Sequence, residues 1–288
     1  MKGIILAGGS GTRLSPITNS VNKQLLPIFD KPMIYYPLSI LMSAKIKEVL
    51  IITNPKDLQQ FKNLLGNGSD LGMHIEFKVQ DKPRGIAEAF KIGSNFIGKS
   101  NVCLILGDNI FHGQGFGEML LEVTKLKKGG LIFAYPVLNP EEFGVVKFNK
   151  KLKVLSIDEK PKKPKSNYAI TGLYFYDNKV VDYFKNIRTS KRNEYEITSI
   201  NKCYLKNKEL SVYPLGRGMT WFDCGSQTSL IEASQYIYTI EKRQGLKVAC
   251  IEEIAWRNKW INDKKMLTHI KKNKSSDYGE YLAKILKK

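Results

Sequence analysis

With 288 residues, 42% hydrophobic and 25% charged, the chain can bury a sizeable core as one large α/β domain or two small ones. It contains no run of 18 uncharged apolar residues, which argues against a membrane helix. The net charge of +19 is spread along the chain and densest over 264–288, a distribution that argues against a specific nucleic-acid role and suits steering of polyphosphate substrates.

In chain order, Lys2–Ala7 is a short apolar run that enters a glycine loop. It lacks the longer apolar core of a signal peptide, so it reads as the first strand of a cytoplasmic protein. Glu48–Thr53, His74–Val79 and Val102–Leu106 read as further strands, with helices expected over 33–43, 55–65 and 85–96. This alternation predicts a doubly wound, mainly parallel sheet, which binds ligands at the carboxyl ends of its strands. Those ends are Gly8–Arg13 and Gly107-Asp108-Asn109. From about residue 130 the segments 131–137, 145–148, 152–158 and Tyr168–Tyr176 are rich in β formers, which predicts inserted antiparallel strands. From Gln227 onward the pattern is helical. The expected organisation is an α/β core over 1–226 and a helical extension over 227–288, packed as a single structural domain. Cys103, Cys203, Cys224 and Cys250 form no CxxC pair, which argues against a zinc cluster or disulfide framework; three of them sit beside apolar residues and read as core. His74, His112 and His269 form no cluster and read as ordinary polar residues.

Two segments carry chemistry. Gly8-Gly9-Ser10-Gly11-Thr12-Arg13 follows the first strand, where a phosphate loop belongs. Its glycines let backbone N–H groups approach an anion, and Arg13 adds a forked cation. It has neither the Gly-Lys-Ser/Thr of a Walker loop nor the third glycine of a dinucleotide fingerprint. The bland alternative is a tight strand-to-helix turn. Lys23-Gln24-Leu25-Leu26-Pro27 follows, with Lys23 near enough in sequence to face the same loop. Taken alone, Lys23 reads better as an exposed lysine of a lysine-rich chain. Asp108 alone could be a turn or cap aspartate.

Together these segments resemble the signature of the sugar nucleotidyltransferase family, most closely the branch that uses dTTP and glucose 1-phosphate. Supporting stretches are 30–38, Leu106-Gly107-Asp108-Asn109, Glu159-Lys160-Pro161, 164–177 and 243–250, so the similarity spans nearly the whole chain. The resemblance implies Mg²⁺ held by Asp108 and Asp223, and triphosphate binding by Gly8, Gly9, Gly11, Arg13, Lys23 and Gln24. It implies base recognition by Gln80 and Gly85. It implies sugar binding by Asp108, Gly144, Glu159 and Gly172, with Lys160 on the sugar phosphate. Arg13, Lys23 and Lys160 would be the catalytic cations. Arg84 stands where some relatives carry an acidic residue, Phe143 where some carry tyrosine, and Ser199 replaces an aspartate in the 194–199 stretch. The resemblance also implies a homotetramer regulated by a pathway end product such as dTDP-rhamnose, with Arg217 and Arg257 at a second nucleotide-sugar site. A UTP- or CTP-using relative, a metal-dependent glycosyltransferase and a silent nucleotide-sugar sensor are the competing readings.

Overall fold

The computed structural model describes residues 1–9 and 11–287; Ser10 of the glycine loop lies outside the described residues. After β1 (Lys2–Ala7) the chain makes short 3₁₀ turns, the small hairpin β2 (Pro27–Ile28) and β3 (Lys31–Pro32), and then α1 (Tyr35–Ser43). Next come β4 (Glu48–Thr53), α2 (Leu58–Leu65), β5 (His74–Val79), α3 (Glu88–Ile92), α4 (Ser94–Ile97) and β6 (Val102–Leu106). The helix expected over 85–96 is thus two short ones, broken at Gly93. There the chain turns tightly against the sheet, and a Cβ would meet Ile4 Cδ1 at 2.9 Å. The helix expected from 55 opens as a 3₁₀ turn whose first N–H groups are met by Asn54, which accepts from Asp57 N.

The second half runs β7 (Asn109–His112), α5 (Phe116–Val123), β8 (Gly130–Pro136), β9 (Gly144–Phe148), β10 (Val154–Glu159), β11 (Tyr168–Tyr176), α6 (Val180–Asn186), α7 (Ile197–Lys206), β12 (Leu210–Pro214) and β13 (Thr220–Asp223). Helices α8 (Gln227–Gln244), α9 (Ile251–Arg257), α10 (Asp263–Lys272) and α11 (Asp277–Leu286) follow. Strands β7, β12 and β13 are not legible in the sequence, because they are short and only partly apolar.

Nine strands form one mixed sheet along the path β10-β9-β11-β6-β1-β4-β5, with β8 on β11 and β12 on β8. The strands β6-β1-β4-β5 are parallel, and their near-continuous apolar runs are explained by burial on both faces. Ile5, Ile51 and Ile105 face a cluster that includes residues of α1, α5 and α9, whereas Ile4, Leu50 and Leu104 face one with residues of α3, α6 and α7.

Strand β11 positions the site. Its register breaks between Ile170 and Tyr174 against β8, while its other edge pairs with β9 at Ala169 and with β6 from Leu173. Residues 170–172 therefore sit where β9 and β6 part, and a wedge opens there at the carboxyl end of β6. Beside it, β13 and β7 form an antiparallel ribbon that sets Asp223 opposite Asn109.

The C-terminal helices pack directly on this core. Ala233 and Ile237 of α8 share a cluster with Ile28, Met33 and Ile110. A partly buried ion cluster ties the β2–β3 hairpin to the same region. Lys31 Nζ lies 2.9 Å from Glu241 Oε1, Lys247 Nζ lies 3.3 Å from Glu241 Oε2, and Asp30 pairs with both lysines. Cys103, Cys224 and Cys250 are buried free thiols, as expected of core residues.

Candidate active site

The parallel pairing of β1 with β6 brings the glycine loop and Asp108 side by side, and the Gly107 N–H extends the ladder to Leu6 O at 2.9 Å. Lys23 joins them from a 3₁₀ turn that Asn22 fixes. The Asn22 side chain accepts from Gln24 N at 2.9 Å and donates to Asp57 at 2.6 Å. The reading of Lys23 as a surface lysine is overturned: it is 7% exposed and its Nζ lies 2.6 Å from Asp108 Oδ2. The countercharge comes from 85 residues away, so no local pattern announces it.

The two proposed metal carboxylates behave differently. Burial resists ionisation of Asp108, but the Lys23 ammonium outweighs it and holds the carboxyl below its ordinary 3.8. Burial, with the negative charge of Asp108, raises Asp223 above that value. Arg13 faces the same pair; its Nη2 lies 3.1 Å from where a Cβ on Gly225 would stand. Among the described residues no group of three or more His, Cys, Asp or Glu is placed to hold a metal. Two mutually repelling carboxylates nonetheless suit a hard cation that takes one or two protein ligands and fills its sphere with phosphate oxygens and water. Cys224 is fully buried, and burial pushes its thiol up, so it is core and not a nucleophile.

The wedge beside β11 is a cleft of about 190 Å³ that Asp108, Gly144, Glu159, Lys160, Gly172 and Asp223 all line, together with Arg13. Glu159, at the end of β10, is set by two donors. Thr198 Oγ1 gives to its Oε2 at 2.5 Å and Arg192 Nη2 to its Oε1 at 3.3 Å. Lys160 turns back into the cleft with φ 41° while its N–H donates to Phe143 O at 3.0 Å. Its ammonium has no ion-pair partner among the described residues. The N–H of Gly172 donates to Asn109 Oδ1 at 2.9 Å, and Trp221 Nε1 donates to the same oxygen at 2.6 Å. A Cβ on Gly172 would stand 2.5 Å from that oxygen, so only glycine permits this approach.

Sequence reading missed Arg192, Thr198, Asn109 and Trp221 as members of this site. Thr198 precedes Ser199 in the 194–199 stretch, and Asn109 follows Asp108 in its motif. Arg192 carries no local signal. Phe143 also lines the cleft and packs against Trp221 with ring centroids 5.3 Å apart.

On the other side of the glycine loop, Gln80 is buried, and its Nε2 donates to Glu88 Oε2 at 2.9 Å and Gly85 O at 3.3 Å. Gly85 adopts φ +103°, and a Cβ there would meet the Tyr195 backbone at 2.6 Å. The 187–196 loop thus touches both Gly85, through Tyr195, and Glu159, through Arg192. Gln24 is 3% exposed and its Oε1 has no hydrogen-bond partner, an orphaned acceptor of the kind a ligand satisfies.

Arg217 and Arg257 lie elsewhere, both exposed. Arg217 is in the turn before β13, and Arg257 ends α9, where its Nε donates to Glu253 at 2.7 Å. Neither lines the nearby cleft of about 280 Å³, which has Gly113, Phe116, Val248 and Ile254 among its walls; Arg257 opens instead onto a cleft with Trp256 and Trp260. Ile254 lies one turn before Arg257, and the Gly218 carbonyl stands 2.9 Å from a Cβ position on Gly113.

Comparisons with known proteins identify the family. The chain is 54% identical over 288 residues to a glucose-1-phosphate thymidylyltransferase of Neisseria meningitidis, covering 100% of both chains. It is 52% identical to one from Mycolicibacterium smegmatis, covering 99% of each. Among solved structures, a Bacillus anthracis protein in complex with sucrose superposes with a TM-score of 0.76 at 42% identity, over 82% of this chain and 94% of that one. A UDP-glucose pyrophosphorylase complexed with UDP-glucose superposes with a TM-score of 0.72 at 25% identity, over 83% and 98%. The Nucleotidyl transferase family profile matches residues 2–239, a span that runs from β1 into α8 and contains every side chain of the cleft, and the chain belongs to that family.

Proposed function

We propose that the protein transfers the dTMP unit of dTTP to α-D-glucose 1-phosphate, giving dTDP-glucose and pyrophosphate. The observation that carries this reading is the convergence of Arg13, Lys23, Asp108, Glu159, Lys160 and Asp223 on one end of the sheet, in a chain alike along its whole length to named thymidylyltransferases.

The sugar phosphate is already an anion, so the reaction needs no strong general base. It needs two repelling anions brought into line. Lys160 holds the attacking phosphate from the free end of its side chain. Arg13 and Lys23 meet the triphosphate, and the buried Lys23 ammonium supplies fixed charge where negative charge builds. Glu159, pinned by Thr198 and Arg192, accepts from sugar hydroxyls. Gln80 and Gly85 face the base, and Gln24 supports the loop from beside Gly107. Nucleotidyl transferases generally use a divalent metal. Mg²⁺, held by Asp108 and Asp223, would supply further positive charge against the phosphate oxygens.

The reading extends to a cytoplasmic homotetramer in a dTDP-sugar pathway, with α8 to α11 packed on the core as one structural domain. The cleft between Gly113 and Ile254, flanked by Arg217 and Arg257, is the proposed second nucleotide-sugar site. No described helix is long and apolar enough to cross a membrane.

Pyrophosphate release from glucose 1-phosphate with dTTP, UTP and CTP in parallel tests the assignment. Release with dTTP is expected, UTP being the closer competitor because a single methyl is worth about 1–3 kcal/mol. A glycosyltransferase or a silent sensor releases none, and a clear preference for CTP would contradict the reading.

A further inference from the structure

Gln80 is 5% exposed, and its amide has two chemically different ends. Its Nε2 faces Glu88 Oε2 at 2.9 Å and the Gly85 carbonyl at 3.3 Å. Both are acceptors, so only the NH₂ end of the amide satisfies them; a flipped amide would press its carbonyl oxygen against a buried carboxylate. The Gln80 oxygen is thereby turned to the glycine loop, where it lies 2.8 Å from the position of a Cβ on Gly8. Glu88 is itself only 4% exposed. Its second oxygen accepts from Arg84 Nη1 at 3.0 Å, from the loop that precedes α3, so the carboxylate is gripped from both sides.

An unconstrained glutamine can read either edge of a pyrimidine, because rotation exchanges donor for acceptor. Glu88 removes that freedom. We infer that Glu88, steadied by Arg84, is a positioning residue that fixes the Gln80 amide with its oxygen toward the nucleotide. The pocket then offers the base an acceptor, which selects the N3–H of thymine or uracil over the N3 lone pair of cytosine. Selectivity arises as much from rejection as from attraction, since cytosine would set one lone pair against another. The inference rests on the reading that Gln80 faces the base.

The test compares wild type, Glu88→Gln, and the exchange that combines Gln80→Glu with Glu88→Gln. Direct binding of dTTP, UTP and CTP is measured without turnover, beside kcat/KM for each nucleotide with glucose 1-phosphate. In Glu88→Gln the side chain at 88 can donate or accept, so the Gln80 amide can flip. The ratio of dTTP to CTP binding is expected to fall about tenfold, in KM for the nucleotide and not in KM for the sugar phosphate. The exchange variant puts the carboxylate at position 80, where it presents only acceptors, and is expected to restore the preference for dTTP. A ratio within about twofold of wild type in folded Glu88→Gln overturns the inference, as does an exchange variant that loses the preference. If the single variant does not fold, the exchange, matched in charge and size, decides alone. Wild-type binding that favours CTP also overturns it. Binding ratios that behave as expected in a protein that releases no pyrophosphate would sink the proposed reaction and leave this inference standing.

Discussion

Lys23 Nζ rests 2.6 Å from Asp108 Oδ2, so a proposed catalytic cation and a proposed metal ligand form one charge pair at the junction of the glycine loop and β6. A phosphate that enters this junction meets an ammonium whose position is already fixed. Fixed charge in a partly dry site stabilises developing negative charge without reorganisation.

Removing either cation at the triphosphate side should therefore slow the chemistry. Arg13→Ala and Lys23→Ala are each expected to lower kcat/KM by at least about tenfold, roughly 1.4 kcal/mol of transition-state stabilisation. Steady-state kinetics on folded variants checks this; near-wild-type turnover would remove that residue from the catalytic set. Lys23→Ala is also expected to lower thermal stability, since it leaves Asp108 without its countercharge.

The carboxylates are expected to report on the metal. Asp108→Asn and Asp223→Asn should each raise the Mg²⁺ concentration needed for half-maximal rate, because each takes a charged oxygen from the same small donor set. A magnesium titration that superposes on wild type would separate the two residues from any shared cation.

The Lys31–Glu241–Lys247–Asp30 cluster should tie stability to pH at both extremes. Burial opposes ionisation of Asp30, yet Lys31 and Lys247 hold its carboxyl below 3.8. Its contribution is present above pH 3.8 and is lost as pH falls through the lower folded value. Burial likewise opposes the charge on Lys247, but Asp30 and Glu241 raise it above 10.5. Its contribution is full below 10.5 and is lost as pH climbs through the raised value. Denaturant unfolding from about pH 3 to 11 should show both arms in wild type; in Lys247→Met the alkaline arm should be lost and the acid arm weakened, since Lys31 still pairs with Asp30. Glu241→Gln, which strips the nearly enclosed Lys31 of one partner, should cost about 2–4 kcal/mol. Equal stability of that variant would mean Asp30 alone suffices.

The proposed second nucleotide-sugar site would have a kinetic signature. dTDP-rhamnose is expected to inhibit wild type even at saturating dTTP and glucose 1-phosphate, because binding away from the catalytic cleft must favour a less active state. Arg257→Ala should relieve that inhibition. Inhibition that vanishes at saturating substrate, or that persists unchanged in the variant, removes Arg257 from a separate site.

What the sequence determined by itself is the part written in local pattern. Short apolar runs mark β1, β4, β5 and β6, and the parallel rule then points to Gly8–Arg13 and Asp108. Motif resemblance carries Glu159, Lys160, Gly172 and Asp223, which the structure places on one cleft. Burial of Lys23 had no local sign, because an ammonium is tolerated inside only where a distant chain segment supplies its partner. For the same reason Arg192 and Thr198 were invisible as the groups that hold Glu159, and Glu88 as the one that orients Gln80. These roles depend on a few ångströms of approach between strands and loops far apart in sequence, through the parting of β9 from β6 and the ribbon of β7 with β13. Only the packed sheet decides such distances, since hydrogen-bond geometry and charge pairing act through space and not along the chain.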